Sequence, residues 1–225
     1  MAQAVSEVLP FAIGVAIVPI PIIAVILMLF SQRARLNGPV FLLGWVTGLS
    51  AAFVVVYAIA DAGDVDTDET AADGVGWLKI LLGILLLALA GRTWRKRPRP
   101  GAEPEMPRWM SGVDELAPGK ALGLGLVLSA LNPKNLILVV GAAAGLAQLG
   151  VSTSYALAGL AVFVLVGSLT VGLPVGYYLV GGESAKSALD ELKSWLGSHN
   201  EAIMTVLFLV FGVILIAKGL APLTD

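Results

Sequence analysis

The chain contains no cysteine and a single histidine, His199, among its 225 residues. Disulfides, thiol redox relays and thiolate metal sites are thereby excluded, and one histidine at a loop-to-helix junction makes neither a metal site nor a catalytic pair. Charge is scarce too: Asp, Glu, Lys and Arg make up 13% of the residues, against about 25% in soluble domains. No pair of titratable side chains inside an apolar run has the makings of an acid, base or nucleophile, so no enzyme is expected. There is no nucleotide-binding motif, no cofactor is implied, and no nucleic-acid partner is expected. Apolar runs such as "IIAVILMLF" and "ILLGILLLALAG" do not alternate with polar residues, which excludes a membrane β-barrel.

What fills the space is hydrophobic: 57% of the residues and a mean hydropathy of +0.89. The sequence predicts an all-α integral membrane protein. A helical span needs about 20 apolar residues, and six runs qualify, near 9–30, 38–60, 75–92, 120–148, 153–180 and 200–220. The 12 prolines and 26 glycines fit membrane helices, which use both for close packing and broken turns. No basic region precedes the first run and no small-residue cleavage site follows it, so Phe11 to Phe30 is expected to be a retained helix.

Loop charge sets the orientation. Arg33 and Arg35 follow the first run, and Arg92, Arg95, Lys96, Arg97, Arg99 and Arg108 follow the third; the positive-inside rule places both loops in the cytoplasm. The loop Asp61 to Gly74 has six acidic residues and no basic one. Both termini are then extracytoplasmic, in a multi-pass protein of the inner (plasma) membrane. The expected organisation is one membrane domain, 1–225, with a first repeat over about 9–92, a basic loop over about 93–119 and a second repeat over about 120–220. Within the last, Ala185, Leu189, Leu192 and Trp195 recur at helical spacing, which predicts an amphipathic interfacial segment over about 183–198. Lys79 and Lys218, near outer helix ends, are expected to snorkel. Trp45, Trp77, Trp94, Trp109 and Trp195 read as an aromatic belt.

The two halves repeat. With Pro21 set over Pro133, Gly44 falls opposite Gly159 and Gly83 opposite Gly212, at offsets of 112, 115 and 129 residues. Three helices per copy is odd, so the second copy enters the membrane from the opposite side. Inverted repeats with interrupted helices at corresponding positions point to a transporter's midplane binding site. Here the interruptions are Pro19 and Pro21 in the first run and "NPKN", Asn132 to Asn135, in the fourth. Each proline deletes a backbone donor; for Pro19 the structural role is the default. A lysine at a helix centre costs about 2.5–3.5 kcal/mol on insertion scales and usually marks a substrate or ion path. With no Asp or Glu in any predicted span other than Glu201 at the edge of the last, the expected partner of Lys134 is an anion from outside the chain. Asn132, Asn135 and Ser129 complete the candidate site, as head-group ligands or as partners of freed backbone. Thr170, like Ser168, is expected to bond within its own helix. No metal site is expected.

The "NPKN" opening of the second half, with "PIPIIAVILMLFSQRARLNGPVFLLGWVTGL", "LLLALAGRTWRKRP" and "SALNPKNLILVV", resembles the GAP/Sap group (glycopeptidolipid- and sulfolipid-addressing proteins) of the lysine exporter superfamily. The likeness covers nearly the whole chain and is most specific in the first and fourth runs. It implies a LysE-like six-helix fold and movement of an envelope lipid or glycolipid from the cytoplasmic leaflet outward. The expected function is therefore a transporter of an anionic envelope lipid, with Lys134 on the head group and Pro19, Pro21 and Pro133 supplying hinge or break. An exporter of a small carboxylate-bearing solute such as an amino acid is one alternative. A non-transporting scaffold subunit of an envelope-lipid export assembly is the other. Partners expected besides the substrate are membrane lipids, proteins of lipid synthesis or export, and a second copy of the chain, since runs such as "GAAAGLAQLG" can pack within a subunit or between two.

Overall fold

The computed structural model describes residues 1–63, 69–95 and 116–224, and within them the chain is helical almost throughout, with no β-strand. The centre of the acidic loop and most of the basic loop, including Lys96, Arg97, Arg99, Arg108 and Trp109, lie outside the described residues.

The first run forms two helices, α1 (Ala2–Ile17) and α2 (Pro19–Phe30), bent by 51° at Val18. The long helices α3 (Ala34–Gly63) and α4 (Glu69–Arg95) follow. The fourth run is also two pieces: α5 (Pro118–Leu126), continued by a widened π turn over Val127–Leu131, and α6 (Pro133–Ala147), bent by 57° at Asn132. Then come α7 (Thr153–Gly181), a 3-10 turn over Gly182–Ser184 and α8 (Ala185–Thr224). Gly182, at φ +55°, ends α7 in a positive-φ conformation that glycine adopts without strain.

The two breaks share a cause. A residue before proline is pushed out of the α region by the proline ring, and Val18 (φ −61°, ψ 118°) and Asn132 (φ −69°, ψ 117°) have nearly the same extended conformation. The helix that follows starts on proline, whose missing N–H would have had no partner in a first turn. Pro19, not Pro21, is therefore the equivalent of Pro133. Pro21 sits inside the first turn of α2, where the same tolerance applies.

Ala34–Ala62 and the run Thr153–Leu220 are long and apolar enough to cross a membrane, and each bent pair is as well when taken as one span. The chain is a membrane protein. Its last part departs from expectation. The segment predicted to be a separate interfacial helix is the start of one continuous 40-residue α8. Ala185, Leu189 and Leu196 are buried, while Leu192 and Trp195 are exposed.

The helices pack in pairs. α4 runs antiparallel to α8 over glycines: a Cβ on Gly83 would fall 2.7 Å from the Gly212 carbonyl oxygen, and one on Gly219 would fall 2.6 Å from that of Gly76. α3 lies parallel along α5, with Gly44 against the Leu122 carbonyl and Gly48 against Leu126 and Ser129. α7 lies parallel along α1, with Gly159 facing Ala4 and Gly167 facing Val15. Trp45, expected in an interfacial belt, is buried between α3 and α7 and donates its indole N–H to the Gly167 carbonyl at 3.3 Å. Trp77 and Trp195 are more than half exposed.

Candidate functional site

α1 and α6 are antiparallel: Gly145 meets Glu7, Gly141 meets Phe11, and Gly14 meets Leu138. Extending that register sets Val18 opposite Lys134. Both breaks therefore lie at one depth, and a cavity between them is closed by α4 and α8, lined by Val18, Leu86, Lys134, Leu138, Met204 and Phe208. It measures about 10 Å³, room for one water at most.

Of the predicted ligands, three serve the backbone. The Asn132 side chain accepts from the Lys134 N–H at 3.1 Å and caps α6. Asn135, fully buried, donates Nδ2 to the Leu128 carbonyl at 2.8 Å, one of those freed by the break, while its Oδ1 is buried without a partner. Ser129, also buried, donates to the Leu126 carbonyl at 3.1 Å. At the first break the carbonyl of Ala16 is met by Thr170 Oγ1 from α7. Thr170 thus bonds another helix and not its own.

Lys134 is different. Its Nζ lies 5.8 Å from the centroid of the Phe208 ring, and among the described residues no carboxylate is within ion-pair distance. Glu201 reaches it electrostatically. That residue shares a face of α8 with Met204, Thr205 and Phe208 at helical spacing. A cation on an apolar wall, with no carboxylate bonded to it, is an arrangement that attracts an anion.

The two breaks differ in surroundings. Val18, Pro19 and Pro21 are buried. Pro133 is exposed, and its neighbours Leu131 and Leu136 are 69% and 38% exposed, so the second break opens on the side of the bundle.

A second polar group was missed. Lys218 of α8 pairs with Glu7 of α1, and Lys79 of α4 donates to Gln148 at the end of α6. Lys79 is buried, the Lys218 side chain is 33% exposed, and each head has a side-chain partner that sequence distance concealed. Of the small residues of "GAAAGLAQLG", Gly141 and Gly145 pack within the subunit, against α1, while Gly150 is exposed.

Compared with known proteins, the chain matches the family described as Sap, sulfolipid-1-addressing protein, over residues 8–221. No curated protein and no solved structure matches it.

Proposed function

Because the chain belongs to the family of Sap, the sulfolipid-1-addressing protein, we propose that it is a membrane transporter, and not an enzyme, that carries an anionic envelope lipid or glycolipid from the cytoplasmic to the outer side. Its head group is held at Lys134, between the broken helices. In this reading the chain has six spans in two inverted repeats, with α1–α2 and α5–α6 each counted as one. Support comes from the matched conformations of Val18 and Asn132, from the parallel pairing of α3 with α5 and of α7 with α1, and from Gly83 facing Gly212. With Pro19 over Pro133 the offset is 114 residues, closer to the 115 of the glycine pair than the register on Pro21. The wider likeness to lysine exporters belongs to the same proposal, as do partner proteins that make or export the lipid.

The observation that carries the lipid reading is the exposed second break. A lone cation sits just inside it, and Leu131, Pro133 and Leu136 face outward beside it. Acyl chains can stay in the bilayer along these residues while the head group reaches Lys134, an arrangement a small hydrophilic solute does not require. The closed cavity means the site fills only after the half-helices swing about Val18 and Asn132.

The test is leaflet exchange of a fluorescent sulfated glycolipid in proteoliposomes, comparing wild type, Lys134→Arg and Lys134→Met. Wild type and Lys134→Arg should move the lipid, and Lys134→Met should lose at least tenfold, roughly 1.4 kcal/mol of interaction. Normal exchange by Lys134→Met would remove the site. Transport of an amino acid but no lipid would favour the small-solute exporter, and transport of neither would favour a scaffold.

A further inference from the structure

At the end of the bundle opposite both chain termini, two turns come together. α2 stops at Ser31, which is extended (φ −72°, ψ 164°) and donates Oγ to the Met28 carbonyl at 2.7 Å, and α3 starts at Ala34. α7 stops at Gly182, and the 3-10 turn passes the chain into α8. Residues of both turns line one open pocket of about 560 Å³, within the range of ordinary ligand sites. It is far larger than the closed space beside Lys134.

The pocket wall carries three cations, Arg33, Arg35 and Lys186, against one carboxylate, Glu183. Glu183 pairs with Lys186 at 2.8 Å, but its side chain is 78% exposed, and exposed pairs are weak. Neither arginine pairs with a carboxylate among the described residues. The first turn of α3 is part of the same wall, so the positive end of a helix dipole adds to the field. Tyr178 is set deeper. It is 6% exposed, lines the pocket and lies within electrostatic reach of Lys186, yet its hydroxyl makes no hydrogen bond among the described residues. A buried hydroxyl ordinarily has a partner, and here the open side is the pocket. Charge that only fixes topology needs neither a cavity nor a hydroxyl inside it. Depth narrows the ligand further. Phe30, in the wall, is 12 positions from Val18, about 18 Å along the helix. With the breaks at the midplane, that is just beyond the roughly 15 Å half-thickness of a hydrocarbon core, at head-group level. Leu36, 52% exposed, gives the rim an apolar side.

We infer that this pocket is a second lipid site, separate from Lys134, which takes the sulfate or phosphate ester of an anionic lipid from the leaflet at this end. Arg33 and Arg35 hold the oxyanion, whose paired oxygens match a guanidinium fork, and Tyr178 donates its hydroxyl to it. The acyl chains stay in the leaflet beside Leu36. In the transport reading this end faces the cytoplasm, and the pocket is where the head group is first captured; that role rests on the transport reading, whereas the binding does not.

The test is native mass spectrometry of protein released from phosphatidylcholine nanodiscs that carry a minor share of sulfated galactosylceramide, with Lys134→Met present throughout so that the central site is silent. Lys134→Met alone should retain one sulfated lipid per chain. Adding Tyr178→Phe should lower retention on the order of tenfold. Adding Arg33→Lys with Arg35→Lys should do the same, since it keeps the charge that sets topology and removes the forked contact. Tyr178→Phe deletes an atom that bonds nothing among the described residues, so the fold is kept. Retention unchanged in both variants would overturn the site and leave only diffuse attraction to positive charge. Full displacement of the lipid by an equimolar amount of galactose sulfate would overturn the lipid assignment in favour of a soluble oxyanion. Leaflet exchange does not enter the assay: retention that depends on Tyr178 in a protein that moves no lipid would sink the transport reading alone, and transport by a protein whose retention ignores Tyr178 and both arginines would sink the pocket alone.

Discussion

Replacing Lys134 with methionine should make the protein more stable while it stops transport. Methionine keeps the length and the apolar stem, so no hole is opened of the kind that adds to large-to-small losses. What disappears is the ammonium. A lysine at a helix centre carries about 2.5–3.5 kcal/mol of insertion penalty. The structure offsets part of it. The Phe208 ring at 5.8 Å returns about 0.5–2 kcal/mol as a cation–π contact. Glu201 acts without an ion pair, which is worth roughly 0–1 kcal/mol. The balance on removing the charge runs from about −0.5 to +3 kcal/mol and centres on a gain of about 1 kcal/mol. Reversible unfolding in mixed micelles, or steric trapping in bicelles, resolves a change of that size. A Lys134→Met protein that is less stable than wild type would refute the reasoning, because the ammonium would then have a structural partner and Lys134 would belong to the frame of the bundle.

Other outcomes follow from the same structure. Gly83→Ala drives a methyl to 2.7 Å from a backbone oxygen that cannot move aside and should lose about 1–3 kcal/mol, whereas Gly123→Ala, which meets nothing within 4 Å, should be neutral or slightly stabilising by the same unfolding assay; equal effects would remove the close α4–α8 crossing. Asn135→Leu leaves the Leu128 carbonyl without its donor and should destabilise by about 1–3 kcal/mol, against about 1 kcal/mol for the α6 cap in Asn132→Ala. Unchanged stability in both would mean that these amides are free for a ligand.

The helices were legible because apolar length and proline are local signals. Four of the six runs each lie within one observed helix, and the other two are helical apart from a break at an X-Pro step, where the α conformation is disfavoured. The register of the first break was not legible. Pro19 and Pro21 both fit a helical first turn, where no N–H is needed, so sequence alone does not choose between Val18 and Ile20 as the extended residue. Lys134 stood out because it is a charge inside an apolar run. Asn132, Asn135 and Ser129 could be ligands or backbone partners by type alone, and which carbonyls the break frees is a matter of geometry. Glu7, Lys79, Gln148 and Lys218 were hidden because hydropathy counts them as helix ends. One signal was available: Glu7 shares its helical face with Phe11, Gly14 and Val18, all buried, so a carboxylate there points inward.

An unbroken α8 ties together the two halves of a broken helix. Near its start Lys193 lies 5.1 Å from the ring centroid of Phe30, the last residue of α2, and near its end Lys218 holds Glu7 of α1. The two lysines are 25 positions apart, about 37 Å of helix. A rod of that length with no hinge turns as one body about its crossing at Gly212. Any tilt that draws its far end away from α1 presses its near end toward α2. In the transport reading, opening at one face of the membrane is mechanically opposed to opening at the other, and a continuous leak requires α8 itself to bend.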